Sequence, residues 1–332
     1  MTLLKGESIN LGIGIEDPAT RGTFVVPQNF IPARTPSGVN VKVTKALLKE
    51  TKSSGIASQG STVVQRMAGG DLEFNVRSES IGYLLKSLLG AVASVVKETT
   101  AYNHTFTVLP TDPQFPSISL ALAQSGQQDY AYNGAIVKSI ELKTPVDDLV
   151  NAKVEFIAKD EAEHTDFTPA FQADDYIFRP QDITIKLATN LAGLDAANAI
   201  NVKELELSID NSARPQQCLG SVTPTDNIAQ MIEITGNIVL DYEGDTYHDL
   251  VVAGTYKAMR IELKRTDITI GASSNPTIQI DLAKVSFEAN NPDRPIEDIV
   301  RDSLDFVAHY SDTDSKAITV VVTNEMTAYV KA

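Results

Sequence analysis

Two stretches half a chain apart carry one pattern. Gly70-Asp71-Leu72-Glu73-Phe74-Asn75 reads as an alternating strand, followed by polar residues and then an apolar helical run. Gly236-Asn237-Ile238-Val239-Leu240-Asp241 repeats that order 166 residues later, in a chain of 332. A second echo follows. Ile136 to Lys159 reads as two strands joined by Thr144-Pro145-Val146-Asp147-Asp148, and Ala283 to Tyr310 as two strands joined by Asn290-Asn291-Pro292-Asp293-Arg294-Pro295. The offset falls to 150 between Phe156 and Phe306, so the first copy needs a longer excursion, which Lys97 to Gln128 supplies. Repetition at this length predicts two copies of one domain fused head to tail, residues 1–165 and 166–332. A fused pair halves the number of chains a symmetric ring needs.

Strand signals dominate both copies. Phe24 to Val26, Val39 to Val43, Leu72 to Val76, His104 to Leu109, Ser117 to Ala123, Ile136 to Leu142 and Val154 to Ala158 alternate or are dense in β-branched residues. Ile183 to Leu187, Val202 to Ile209, Met231 to Leu240, Met259 to Lys264, Thr277 to Leu282, Val285 to Ala289, Leu304 to His309 and Ala317 to Val322 do the same. Turn-forming clusters such as Thr35-Pro36-Ser37-Gly38 and Leu109 to Pro113 separate them. The expectation is a mainly β chain of two tandem sandwich or barrel domains, each with one flanking helix.

The first helix is read from Ile81, Leu84, Leu85, Leu88, Leu89, Val92, Val95 and Val96, which share one stripe. Ser78 and Ser80 are its candidate caps, and Lys97 to Thr100 its end. The second is read over Tyr247 to Ala253, with a capping-box pattern at Thr246 and Asp249 and a stop at Gly254.

Charge narrows the function. Residues 1–170 hold 15 basic and 18 acidic side chains, and residues 171–332 hold 13 and 25. An acidic surface repels nucleic acid, whose phosphates are gripped by Lys and Arg. Trp is absent and aromatics make up 6%, a poor basis for stacking on bases or sugars. The one cysteine, Cys218, leaves no partner for an intrachain disulfide and reads as a buried or half-buried thiol. No apolar run is long enough to span a bilayer, and Met1 to Asn10 does not read as a secretory signal.

Catalytic and metal motifs are missing. Gly12-Ile13-Gly14 has Asp17 where a dinucleotide loop needs its third glycine, and reads as an entry strand or loop. Glu161, Glu163, His164 and Asp166 lack helical ligand spacing and read as a solvated linker. Asp312-Thr313-Asp314 lacks the glycine and the final glutamate of a calcium loop. His104, His248 and His309 are scattered, and no Gly-x-Ser-x-Gly elbow occurs. No catalytic, cofactor-binding or metal-binding residue is assigned, and no cofactor.

The N-terminal segment reads Leu11-Gly12-Ile13-Gly14-Ile15-Glu16, then Gly22-Thr23-Phe24-Val25-Val26-Pro27, then Phe30-Ile31-Pro32. It resembles the opening of the tail tube proteins of long-tailed bacteriophages. The strand, polar linker and helix after Gly70 and the hairpin from Ile136 to Lys159 are similar to the same family. The resemblance implies two packed β-sheets and a flanking helix, as in the related type VI secretion tube protein. It implies rings of six domains whose inner sheets join into one barrel, formed by three chains when the domain is duplicated. It implies no enzymatic activity, a place in the virion tail after assembly in the host cytoplasm, and a lumen for the tape-measure protein and for DNA. Tail terminator or tip proteins would be further partners. Asp129, Glu141, Glu155, Glu204, Glu206, Glu262 and Asp281 lie in or beside strands and are candidates for that lumen; Asp245, Asp249, Asp293, Glu297 and Asp298 read as loop charges. Two other readings stay open: another virion β-protein (minor tail, decoration or head–tail joining), and a carbohydrate-binding β-sandwich.

Overall fold

Long strands with one buried and one exposed face need a second layer, and two of them bend to serve both layers. The computed structural model describes residues 5–27, 29–35, 38–50, 56–112, 114–294 and 299–330. In the first half the strands are β1 (Ile9–Ile15), β2 (Asn29–Ile31), β3 (Asn40–Leu47), β4 (Ser61–Asn75), β5 (Gly90–Glu98), β6 (Ala101–Val108), β7 (Ile118–Gln124), β8 (Asp129–Thr144), β9 (Asn151–Ala158) and β10 (Asp160–His164). In the second they are β11 (Ile183–Ala188), β12 (Ala199–Ile200), β13 (Val202–Asp210), β14 (Arg214–Gln216), β15 (Asp226–Ile228), β16 (Glu233–Asp241), β17 (Lys257–Lys264), β18 (Thr277–Asp293), β19 (Arg301–His309) and β20 (Ile318–Asn324). The helices are α1 (Ser80–Leu89) and α2 (Thr246–Ala253). The chain is mainly β, as expected.

One antiparallel sheet crosses both halves in the order β3–β4–β9–β8–β13–β16–β19–β18. The outer layer of the first half is β2–β1–β7–β8–β10, and that of the second is β12–β11–β17–β18–β20–β6–β5. Between the layers lies one apolar core, from Leu72, Phe74 and Phe156 to Leu240, Leu304 and Phe306. Removing this much apolar surface from water is the main stabilising term. Among the described residues the sheets stay open, and no barrel closes within one chain.

The two halves share registers. Val137 faces Phe156 and Phe287 faces Phe306, and each ladder then skips one residue, Lys138 or Glu288. The pairs β7–β8 and β17–β18 also break step at matching places, between Ile118 and Leu120 and between Lys257 and Met259. Gly70 lies opposite Phe156, and Gly236 opposite Phe306. A side chain at Gly236 would fall on the Phe306 ring and on the carbonyl of Glu206. The extra excursion of the first half begins earlier than predicted: it is the hairpin β5–β6, which pairs with β20.

The helical stripe overran its helix. α1 ends at Gly90, whose φ of +95° an L side chain rarely adopts, and Val92, Val95 and Val96 belong to β5. Ser78 and Ser80 do not cap it. Asp175 does, accepting from the backbone N–H of Glu79 (2.6 Å) and Ser80 (3.2 Å) and from the Ser80 hydroxyl. α2 and its left-handed Gly254 stop are where predicted, but its N-cap is Asp245, without the Thr246–Asp249 box. Phe24 to Val26 is not a strand; it crosses over Gly12 and Gly14, where a Cβ would meet Pro27 at 2.7 Å or Val26 O at 2.9 Å. Thr277 to Ala289 is one strand rather than two, and it runs on through Asn290 to Asp293, read from sequence as a turn but paired with β19; Pro295 lies outside the described residues.

Glu16, a residue of the N-terminal motif, is buried and fully satisfied. It accepts from Ser117 Oγ (2.6 Å), Ser119 Oγ (2.8 Å), Gly22 N (2.7 Å) and Gly134 N (2.7 Å). It thereby ties the N-terminal segment to the point where β8 passes from outer to inner layer, at Gly134 with φ +58°. A buried carboxylate is tolerated only with such partners.

Candidate functional site

Alternation along the crossing sheet decides which residues share its polar face. In β13, Leu205, Leu207 and Ile209 point to the core, so Glu204, Glu206, Ser208 and Asp210 point away. Register extends the row: Glu206 lies opposite Lys143 and Asn237, Ser208 opposite Glu141 and Thr235, and Asn237 opposite Asp305. On the first half Asp71 lies opposite Glu155 and Glu73 opposite Lys153. The face is concave where the halves meet, enclosing about 500 Å³ beside Glu141, Lys143, Glu206, Ser208, Thr235, Asn237 and Asp305.

Carboxylates outnumber cations on this face, and four of its lysines are engaged. Lys138 lies 2.9 Å from Glu155, Lys143 3.0 Å from Glu206, Lys153 3.3 Å from Asp71 and Lys203 3.1 Å from Asp241. Glu206 holds the Lys143 ammonium above its ordinary pKa, with help from Glu141 and Glu73. Such half-exposed pairs add little to stability, about 0–1 kcal/mol each. A lysine already paired also offers phosphate no uncompensated charge, so the face has little grip on a polyanion.

The predicted candidates divide. Glu141, Glu155, Glu204 and Glu206 lie on the concave face. Asp129 is buried and binds Gln124 N and Phe167 N, both at 2.6 Å. Glu262 and Asp281 lie on the outer sheet of the second half, where Asp281 takes a bidentate contact from Arg260 at 2.6 and 3.0 Å. Asp245 stands at the N-cap position of α2 but its carboxylate accepts from Tyr242 OH at 2.7 Å, Asp249 is exposed on the first turn and Asp293 ends a strand; Glu297 and Asp298 lie outside the described residues. The four paired lysines and Asp305 went unread, although i, i+2 spacing from Glu141 and Glu206 marks Lys143 and Ser208.

Segment 160–164 is a strand against β8 and not a linker, and His164 stacks on Phe167 at 4.1 Å. Among the described residues no group of three or more His, Cys, Asp or Glu is placed to hold a metal ion. No described helix is long and apolar enough to cross a membrane. Cys218 is exposed, contrary to expectation, in the excursion between β14 and β15, beside the exposed Leu219. His104 is buried and contacts Ser94 Oγ, Asn324 Oδ1 and the carbonyl of Met326 at 2.7–3.0 Å.

A search of curated proteins returns no match. A family model described as phage tail tube protein matches residues 6–308, nearly the whole chain. The matched span takes in the Gly-x-Gly entry strand, both helices and every strand of the concave acidic sheet except the end of β19. This chain belongs to the phage tail tube protein family and is a structural protein of the tail.

Proposed function

We propose that this chain is the self-assembling subunit of a tail tube, with two copies of one domain (residues 1–165 and 166–332) and three chains in each ring. The shared registers and the matching bulges at Lys138 and Glu288 support the duplication. Residues 170–178 then form a connector that stays on the first domain: Ala170 O accepts from Phe30 N, Phe178 N donates to Val76 O, and Asp175 caps α1.

One observation carries the ring. The crossing sheet ends in two margins, β3 on one side and the C-terminal half of β18 on the other, and neither has a second strand partner among the described residues. Unpaired strand edges are completed by another chain or by closure. Joining three such sheets edge to edge closes a barrel with the acidic concave face inward. Its lumen holds the tape-measure protein and later passes DNA, which finds paired lysines and free carboxylates there. The tube works by shape and charge, without catalysis. It assembles in the host cytoplasm, becomes part of the virion, and is bounded by tail terminator and tip proteins.

Negative-stain microscopy of the purified protein tests this. Hollow tubes or stacked threefold rings are expected. Monomers at all concentrations, closed caps, or true sixfold rings of six chains by mass photometry would overturn it.

A further inference from the structure

One half of the chain covers the other, and the cover has no counterpart at the far end. α1 buries nine of its ten residues. Part of that cover comes from the second half: Asn211 reaches Leu88 O, the Tyr329 ring lies over Gly82, and Lys86 donates to Tyr329 O at 2.6 Å; the same half holds β8, where Asn211 donates to Val137 O at 2.7 Å and Asn227 to Gly134 O at 2.8 Å. α2 holds the same place in the repeat and buries none of its residues; Val252 is 73% exposed and nearby Tyr256 49%. Along the sheet, residues 139–143 of β8 pair with both β9 and β13, whereas residues 289–293 of β18 pair with β19 alone.

Groups beside that margin are also incomplete. Asp302, 1% exposed, has both carboxylate oxygens without a hydrogen-bond partner, and Asn290 Oδ1 is enclosed and unpartnered. Buried polar atoms of this kind are rare and costly. At the other end of the sheet, β3 and the start of β4 project as an exposed hairpin, with Leu47 58% exposed beside Val43 and Val63. This hairpin is basic through Lys42, Lys45 and Lys49, while the β18–β19 margin carries Glu288, Asp293 and Asp305.

We propose that β3 of one copy adds to β18 of the next in the register that β13 takes on β8, placing Val41 opposite Asn290, with the β3–β4 hairpin lying over α2. The register is fixed by correspondence. Ile209 faces both Ile140 and Ile234. Ile140 corresponds to Asn290 by the 150-residue offset, and Ile234 corresponds to Ala68, which faces Val41. The same register sets Lys42 beside Ala289, whose small side chain leaves Asp305 in the next strand within reach. This seam rests on the tube reading, and it adds a partner surface and an alignment.

The test uses full-length protein carrying Cys218→Ser, so that no other thiol competes. Val41→Cys with Asn290→Cys is assembled, oxidised mildly and run without reductant, with microscopy of the same sample. Cross-linked species of two and three chains are expected and none larger. Val41→Cys with Asn291→Cys, displaced to the opposite sheet face, should link at least about tenfold less, because side chains alternate faces along a strand. Tubes in which the displaced pair links instead would overturn the register and leave the tube reading standing. Failure of the wild-type protein to form rings or tubes would overturn both. A charge test needs no cysteines: Lys42→Glu should slow assembly, and adding Asp305→Lys should restore it. No recovery would remove the electrostatic part of the seam.

Discussion

Glu79 offers the sharpest test of the packing between the halves. Its side chain is 4% exposed at the start of α1. Around it lie Asp175, Asp174, Glu325, Tyr83 and Tyr329, with His104 behind Tyr329. Burial first, and the carboxylates of Asp175, Asp174 and Glu325 second, push its pKa from 4.5 up to about 7. The folded chain therefore keeps a proton between pH 4.5 and 7 that the unfolded chain has released. Its stabilising effect is fully present below pH 4.5 and is lost as pH rises through 7. The whole shift corresponds to roughly 3 kcal/mol, of which about 2 kcal/mol falls between pH 5.5 and 8. Glu79→Gln, neutral at every pH, removes this dependence. Urea unfolding of unassembled protein at pH 5.5 and 8, followed by far-ultraviolet circular dichroism, should show the wild type losing about 2 kcal/mol more than the variant across that interval. His104 titrates in both proteins and cancels in the difference, as does the part of the Asp175 titration that does not depend on Glu79. Parallel behaviour of the two would mean that Glu79 is already ionised in the fold, and the account of this buried cluster would be wrong.

Three further outcomes are expected. Gly236→Ala drives a methyl group into the Phe306 ring and should cost about 1–3 kcal/mol, read as a fall in Tm. Arg21→Ala removes the cation 3.0 Å from Asp226, on the segment that holds the second half over the first, and leaves Asp226 with Gln114 Nε2 and Asn227 N alone; it should destabilise by about 1–3 kcal/mol in denaturant unfolding. Glu141→Lys with Glu206→Lys leaves tubes intact but frees Lys143, so fluorescent DNA that ignores wild-type tubes should bind the variant at low salt and dissociate as salt rises.

How far the sequence could be read depended on the range of the forces involved. Strand positions followed from alternation, which depends on neighbours two residues apart. Within a strand, alternation also separated Glu206 from Leu207. It could not say which sheet a strand joins, so Asp281 and Glu141 looked alike although only Glu141 reaches the concave face. The run from Ile81 to Val96 keeps helical spacing into what folds as a strand, and Gly90 was the local mark of the change. The α1 cap was invisible because Asp175 lies 95 residues beyond Ser80. Phe24 to Val26 has strand-like residues without a strand partner; the chain uses Ser119 Oγ to hold Val25 N at 3.0 Å instead.

The pairing of β8 with β13 has a kinetic meaning. Residues 145–201 tether these strands, so this contact forms within one molecule at an effective concentration no free partner could match. Half the junctions of a three-chain ring would thus be complete before any two molecules collide. Nucleation then depends on a lower power of protein concentration than for six separate domains. Tubes would start from dilute protein, at a time set by whatever first presents a matching margin.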